Sequence, residues 1–405
     1  MNLAATLADW ATTYRPDAGD LDLAQRSLLD TLAVTLAARE HPIRPVADIL
    51  PDAARWSALG HVLDFDDLHV PSTTHISAVI VPAVLAAGPA GQDAGARAYL
   101  AGAGVMARLG ALLGWPHYSA GWHATCTAGA PAAAVAAGTV WGLSPPQLAV
   151  AMALAVPAAG GVQAAFGTQA KSLQVGMATQ AGVQAAVLAR AGAGADPRAL
   201  DEWFRLVGGQ PGPVETAPAV PGGLAIKLYP CCYAMQRPIA AVRELRAQLG
   251  EDIEQVVVAT PKATVQPLIH DQPHTGLEGK FSMPYAIATA ILDEYPGFGS
   301  FSDQAVNRAR ARALMAAVRT DYGPGDPGSA GLLDGTVDIS VRLASGRELH
   351  TELALPPGSP DRPPSPADLA AKLAACGPGV PDLLAGITWP AAADLLRTTL
   401  PAASP

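Results

Sequence analysis

Charged and aromatic side chains are scarce in this chain: 15% of its 405 residues are charged and 5% aromatic. The charge present is mostly negative, with 35 acids against 26 bases and a net charge of -9. That balance, without a polybasic run, excludes a surface built for nucleic acid or anionic membrane. The four cysteines, Cys126, Cys231, Cys232 and Cys376, show no CxxC spacing, so neither a zinc knuckle nor a disulfide framework is expected, and adjacent Cys231 and Cys232 would bridge only with strain. The start, MNLAATLADWATTYRP, has no basic segment leading into an apolar one, and apolar runs elsewhere are interrupted before about 18–20 residues. The expectation is a soluble, cytoplasmic protein. Lysine is the rarest of the charged residues: Lys171, Lys227, Lys262, Lys280 and Lys372 are the whole set. In a chain that otherwise uses arginine, a retained lysine points to a position that needs a compact ammonium.

Half of the residues are apolar, enough for a large core divided between a larger and a smaller lobe. Helical spacing of apolar residues marks Asp20 to Arg39, with Asp20 as a cap, and continues over 74–87, 94–113, 125–138, 145–156, 173–189 and 197–207. Many of these segments are Ala- and Gly-rich on every face, as in helices packed inside a bundle. Pro211 to Gly223 is Pro/Gly-rich and suits a hinge or linker. Beyond it, Leu224 to Tyr229 and Ile253 to Thr260 are expected as strands flanking a helix, Met235 to Leu249. Val337 to Leu343 and Glu348 to Leu355 alternate as a β-hairpin around Gly346. The fold class is therefore mainly α: an all-helical domain over 1–223, a smaller α/β domain over 224–356, and C-terminal helices over 357–405 returning to the first.

Against this bland background, GHVLDFDDLHVPSTTHIS (Gly60 to Ser77) gathers His61, Asp64, Asp66, Asp67, His69 and His75. Aspartates and histidines sharing a partly apolar stretch shift one another's proton affinities towards neutral pH. Three readings compete. The stretch is a solvated loop at a helix start, or an Asp-rich Mg²⁺ site as in terpene synthases, or an acid/base cluster in which Asp64 orients His75 or His123. The second sits poorly with so few aromatics to shelter a carbocation. His123, in GWHATCTAG, is expected at a helix N-terminus, where an anion such as a carboxylate is favoured. Lys171 lies among small and apolar residues in FGTQAKSLQVG, and Lys227, in AIKLYPCCYAMQRP, falls between the lobes. Lys280, in GLEGKFSMPY, reads as more exposed.

Taken in order along the chain, HVLDFDDLH, THISAVIVPAVLA, GWHATCTAGAPAAAVAAGTVWGLSPPQLAVAMALA, FGTQAKSLQVGMATQAGV, KLYPCCYAMQRPIAAV, HTGLEGKFSMPYAIATAIL and the hairpin followed by SPADLAAKL resemble the MmgE/PrpD family, which includes 2-methylcitrate dehydratase, cis-aconitate decarboxylase and iminodisuccinate epimerase. The resemblance implies a helical domain with a lid domain, commonly homodimeric, and a site without metal or cofactor between them. It carries functional roles to Asp64, His75, His123, Lys171 and Lys227, with His69 and Tyr285 as further substrate contacts. The chain departs from the family pattern at Leu59 (usually Asn), Leu68 (Thr), Ile76 (Pro) and Gln174 (often His), which leaves the acid/base core and thins the substrate contacts.

The expected activity is a cofactor-independent lyase or isomerase acting beside a carboxylate of a small di- or tricarboxylate. Moving a proton at such a carbon needs an acid/base pair, cations for the carboxylates and stabilisation of enolate-like charge. His75 and His123 are the candidate proton donor and acceptor, Asp64 their partner, and Lys171 and Lys227 the carboxylate clamps. Decarboxylation, dehydration and epimerisation all fit this outline. A non-catalytic binding protein on the same fold is the alternative of another class.

Overall fold

A computed structural model describes residues 2–250, 252–323 and 331–402. The first half is a packed set of helices: α1 (Leu3–Thr13), α2 (Ala18–Ala37), α3 (Asp52–Val62), α4 (Ile76–Ala87), α5 (Gln92–Ser119), α6 (Ala124–Val140), α7 (Pro145–Ala155), α8 (Gln169–Arg190) and α9 (Arg198–Leu206). Helix α2 starts two residues earlier than its apolar spacing suggests. Asp17 is the cap, and Asp20 sits at the third position, completing a capping box with the Asp17 backbone. Helix α5 is long and apolar enough to cross a membrane, yet most of it is buried in the helical core, and Gly114 (φ 64°) breaks its regular conformation.

Small residues bring α8 against its neighbours and so position the site. A Cβ on Gly182 would lie 2.4 Å from the Ala130 carbonyl oxygen of α6, and one on Gly176 2.5 Å from that of Ala54 in α3. Only hydrogen fits at either position, so the backbones of α3, α6 and α8 are held in register with one another.

The smaller lobe joins helices α10 (Gln236–Leu245), α11 (Met283–Leu292) and α12 (Ala309–Ala317) to a four-stranded sheet. Its strands are β1 (Ile253–Pro261), β2 (Val318–Gly323), β3 (Val337–Leu343) and β4 (Glu348–Leu353), in the order β2-β1-β3-β4. The β3–β4 pair is the expected hairpin, with Val341 opposite Leu349, and β1 runs antiparallel to β3. Strand β2, parallel to β1, was not apparent from the alternation of its short sequence. Val256, Val258, Val337, Ile339, Val341 and Leu343 pack with Ile239, Val242 and Ile287 in a second hydrophobic core, separate from that of the helices.

One expectation is corrected. Residues 224–229 form no strand: apart from an isolated bridge between Leu68 and Ala225, the Leu228 and Tyr229 N–H groups donate to the Gln236 side chain instead of to a neighbouring strand. The Pro/Gly-rich 211–223 segment, expected as a hinge or linker, is fastened to the helical bundle. Arg108, buried over the Trp10 ring, donates to the carbonyls of Glu215, Pro218 and Ala219. Past the sheet, α13 (Pro366–Ala375), α14 (Val380–Leu384) and α15 (Trp389–Thr399) follow. Val380, Leu384, Trp389 and Leu396 enter the helical core, and Lys372 ties α13 to Asp30 at 2.6 Å and to the Phe65 carbonyl at 2.8 Å.

Candidate active site

Four helix ends converge at one end of the bundle. His61 lies in the last turn of α3, His75 and His123 are the residues immediately preceding α4 and α6, and Lys171 is in the first turn of α8. Three of these ends are N-termini, whose backbone dipoles favour negative charge. Just beyond α3 the chain turns through Asp64 with φ 52°, a left-handed conformation uncommon outside glycine and asparagine. From the other lobe come Lys227, Lys280 and Phe281.

Asp64 Oδ1 accepts from Lys227 Nζ at 3.0 Å and Lys171 Nζ at 3.1 Å, and Lys227 also donates to the Asp64 carbonyl at 3.0 Å. Lys171 Nζ lies 2.6 Å from His61 Nε2, and the opposite ring nitrogen, Nδ1, lies 2.7 Å from Asp66 Oδ2. The same carboxylate oxygen is 2.9 Å from His75 Nδ1. An ammonium can only donate, so His61 Nε2 accepts and its proton sits on Nδ1, facing Asp66. A chain of hydrogen bonds thus links Lys227, Asp64, Lys171, His61 and Asp66, with His75 beside the Asp66 carboxylate at its end. His123 stacks 5.8 Å from His61 and meets the Phe166 ring edge-on at 5.0 Å.

Burial raises the proton affinity of the Asp64 carboxyl, but the Lys171 and Lys227 ammoniums overcome it and hold the group well below the usual carboxylate range. Asp66 is likewise held ionised against burial, by His61 and His75. Lys227 is raised, since Asp64 and Asp66 outweigh the effect of burial. Burial lowers all three histidines, His75 to about 3, so the rings are neutral.

Asp64, Asp66 and Asp67 are at most 2% exposed, which rules out the solvated-loop reading. Nor do the three carboxylates face one cation. Asp64 meets lysines and Asp66 histidines, while Asp67 accepts from the Ser77 N–H at 3.1 Å and from the Ser77 hydroxyl, capping the helix that carries His75. His61, Asp64, Asp66 and His75 offer ligand-type atoms within 4.8 Å of one another. The two ammoniums on Asp64 oppose a metal cation there by like charge.

The structure brings Asp64, His75, His123, Lys171 and Lys227 together and leaves His69 and Tyr285 outside. Both His69 nitrogens are taken, by Ser72 Oγ at 2.6 Å and the Pro221 carbonyl at 2.5 Å, and the ring fastens the turn after the Asp cluster to the 211–223 segment. Tyr285 is buried in the second core, its hydroxyl donating to the Ser300 carbonyl. Lys280, expected to be exposed, is 3% exposed and bonded to the carbonyls of Leu63 and Pro230; burial lowers it to about 8. His61 and Asp66 also belong to the site. Both stood in the quoted cluster, but spacing alone could not tell which side chains turn inward. Lysine scarcity was the stronger signal: Lys171, Lys227, Lys280 and Lys372 are all at most 5% exposed.

Little space remains among these groups, about 10 Å³ between His61, Asp64, Lys171, Lys280 and Phe281. An open cavity of about 800 Å³ adjoins it, sharing Gly167, Thr168, Leu277 and Lys280 as walls. These four residues, from the start of α8 and the Leu277–Phe281 turn, form the partition between the open cavity and the buried groups.

The MmgE/PrpD N-terminal domain matches residues 46–207 and the MmgE/PrpD C-terminal domain residues 229–383. The chain belongs to the MmgE/PrpD family. Among curated relatives, cis-aconitate decarboxylase of Aspergillus terreus is 26% identical over 283 residues, 61% of this chain and 58% of that protein. The cis-aconitate decarboxylases of Mus musculus and Homo sapiens are each 28% identical over 71% of this chain, covering 63% and 64% of theirs. The chain thus spans somewhat under two thirds of the length of these MmgE/PrpD relatives. Its mainly α fold with a small mixed sheet is that of the family.

Proposed function

We propose that the protein is a lyase of the decarboxylase or dehydratase type acting next to a carboxylate of a small di- or tricarboxylate. One observation carries this reading: three lysine ammoniums, Lys171, Lys227 and Lys280, are buried around only two ionised carboxylates, Asp64 and Asp66. With the histidines neutral, the surplus is one positive charge. Such a surplus is costly to bury unless an anion completes it. Lys171 and Lys227 each use two of their three N–H donors on protein groups, leaving one apiece for a substrate carboxylate. His75 and His123 supply the imidazoles for proton movement and for the developing negative charge. The names of the cis-aconitate decarboxylases support a tricarboxylate of that kind as the first substrate to try. Opening and reclosing of the Leu277–Phe281 turn would admit substrate and exclude water before chemistry.

The test is NMR of the protein in D₂O with cis-aconitate, citrate, malate and 2-methylcitrate. Loss of CO₂, loss of water, or exchange at carbon without net change would identify decarboxylase, dehydratase or epimerase. Silence of the folded protein across the panel, with no polycarboxylate binding, would overturn the proposal.

A further inference from the structure

The surroundings of His75 and His123 differ in a way that separates their roles. His123 Nδ1 lies 2.6 Å from the Gln174 amide nitrogen and 3.3 Å from Cys126 Sγ. The orientation of the Gln174 amide is fixed by the Val162 backbone: its oxygen accepts from the Val162 N–H at 3.3 Å, and its nitrogen donates to the Val162 carbonyl at 3.2 Å. The second amide hydrogen is then left for His123. Burial pushes the Cys126 thiol up, so it stays S–H and can donate or accept. The Gln174 N–H therefore decides the ring: Nδ1 is the acceptor, and the ring proton resides on Nε2. His75 differs: its Nδ1 lies 2.9 Å from Asp66 Oδ2 without an aligned hydrogen bond, and that carboxylate favours the proton on Nδ1 and the lone pair on Nε2.

We propose that Gln174 is a positioning residue that fixes His123 as the neutral Nε2–H tautomer, so that His123 acts as a hydrogen-bond donor to enolate oxygen and keeps its proton, while His75 exchanges protons with carbon. This rests on the lyase reading above and deepens it. The surroundings of His123 favour a neutral ring: burial and the Lys171 ammonium oppose a second proton, Asp64 acts the other way, and the ring stands at the N-terminus of the 17-residue helix α6. A neutral imidazole is too weak an acid to deliver its proton to carbon, but as a hydrogen-bond donor it stabilises an oxyanion well. When a C–H bond is broken, its electron pair enters the enolate and the proton goes to His75 Nε2, giving an imidazolium paired with Asp66. When CO₂ leaves, the pair from the C–C bond forms the same enolate; one proton taken up from solvent then passes through His75 Nε2 to carbon, and His75 ends neutral as it began.

The experiment is ¹⁵N NMR of imidazole-labelled protein, with the His123 and His75 signals assigned by their loss in His123→Gln and His75→Gln. The expected result between pH 6 and 8 is a neutral Nε2–H ring at His123 and a neutral Nδ1–H ring at His75. In Gln174→Glu, whose carboxylate accepts instead of donating, His123 should gain a proton on Nδ1. Gln174→Asn, too short to span to the ring while held by Val162, should leave a mixture of tautomers. A wild-type His123 that is Nδ1–H or imidazolium would overturn the proposal, as would an unchanged tautomer in both variants. Once turnover is found, Gln174→Glu should lower kcat about ten- to a hundredfold with KM changed less than threefold, and should add a pH limb from His123 titration. Because the NMR needs no substrate, silence of the wild-type protein on polycarboxylates with the tautomers as stated would sustain the Gln174 assignment and remove the lyase reading.

Discussion

Asp64→Asn isolates the charge at the centre of the site. Asparagine tolerates the left-handed backbone at this position and keeps an oxygen for both lysines, so shape and hydrogen bonding survive while the carboxylate is lost. A unit-charge pair 3 Å apart at an effective dielectric of about 20 is worth about 5 kcal/mol, and removing one partner of a buried pair costs about 3–5 kcal/mol in practice. With about 2.1 cal/mol/K of unfolding entropy per residue, a chain of 405 residues loses about 4–6 °C in Tm for that cost. The deficit has a definite pH dependence. In the wild-type protein Asp64 and Asp66 raise Lys227; with Asp64 neutral, burial pulls Lys227 below its unfolded value. The unfolded chain then binds more protons than the native one, so stability rises with pH and the deficit shrinks towards the ordinary lysine value of about 10.4. A substrate-like polycarboxylate supplies the missing charge, so it should raise the Tm of the variant more than that of the wild type, while turnover is abolished. The assay is thermal unfolding at pH 7 and 9 with and without citrate or cis-aconitate. An unchanged Tm, or a citrate effect no larger than in the wild type, would refute the account of Asp64 as the counter-ion of Lys171 and Lys227.

Asp67→Asn tests the residue that caps the helix of His75. Burial pushes Asp67 up to about 7, so the native state holds its proton while the unfolded chain releases it near pH 4, and wild-type stability falls between pH 4 and 7 by up to about 1.4 kcal/mol for each tenfold change in proton affinity. The variant should show a flatter pH dependence in urea unfolding over that range. Gly182→Ala places a Cβ 2.4 Å from the Ala130 carbonyl oxygen; parting α6 from α8 should cost about 1–3 kcal/mol in denaturant unfolding and also lower turnover, because these helices carry His123 and Lys171. Arg108→Met strips three carbonyls of the 215–219 stretch of their donor and should destabilise by about 2–4 kcal/mol, with protease cleavage appearing within 211–223.

Local pattern was enough to set the class of the molecule. Ala/Gly-rich helical periodicity located most of the bundle, and alternation located β1 and the β3–β4 hairpin, because both patterns are local. The scarcity of lysine, together with one crowded stretch of Asp and His, pointed to residues that the fold does bring together. What it could not supply was direction. Helical spacing leaves Asp64, Asp66 and Asp67 equivalent, and only the left-handed turn after α3 sends the first to two lysines, the second to two histidines and the third to a helix cap. His69, two residues further on, is drawn instead to the Pro221 carbonyl. Lys280 reads as exposed on its own short segment and is buried because a second lobe folds over the bundle. Ion pairing and tautomer choice depend on contacts of a few ångströms between groups more than a hundred residues apart, such as Lys171 with His61 and Lys227 with Asp64. Such contacts leave no period in the chain, and tertiary packing alone decided them.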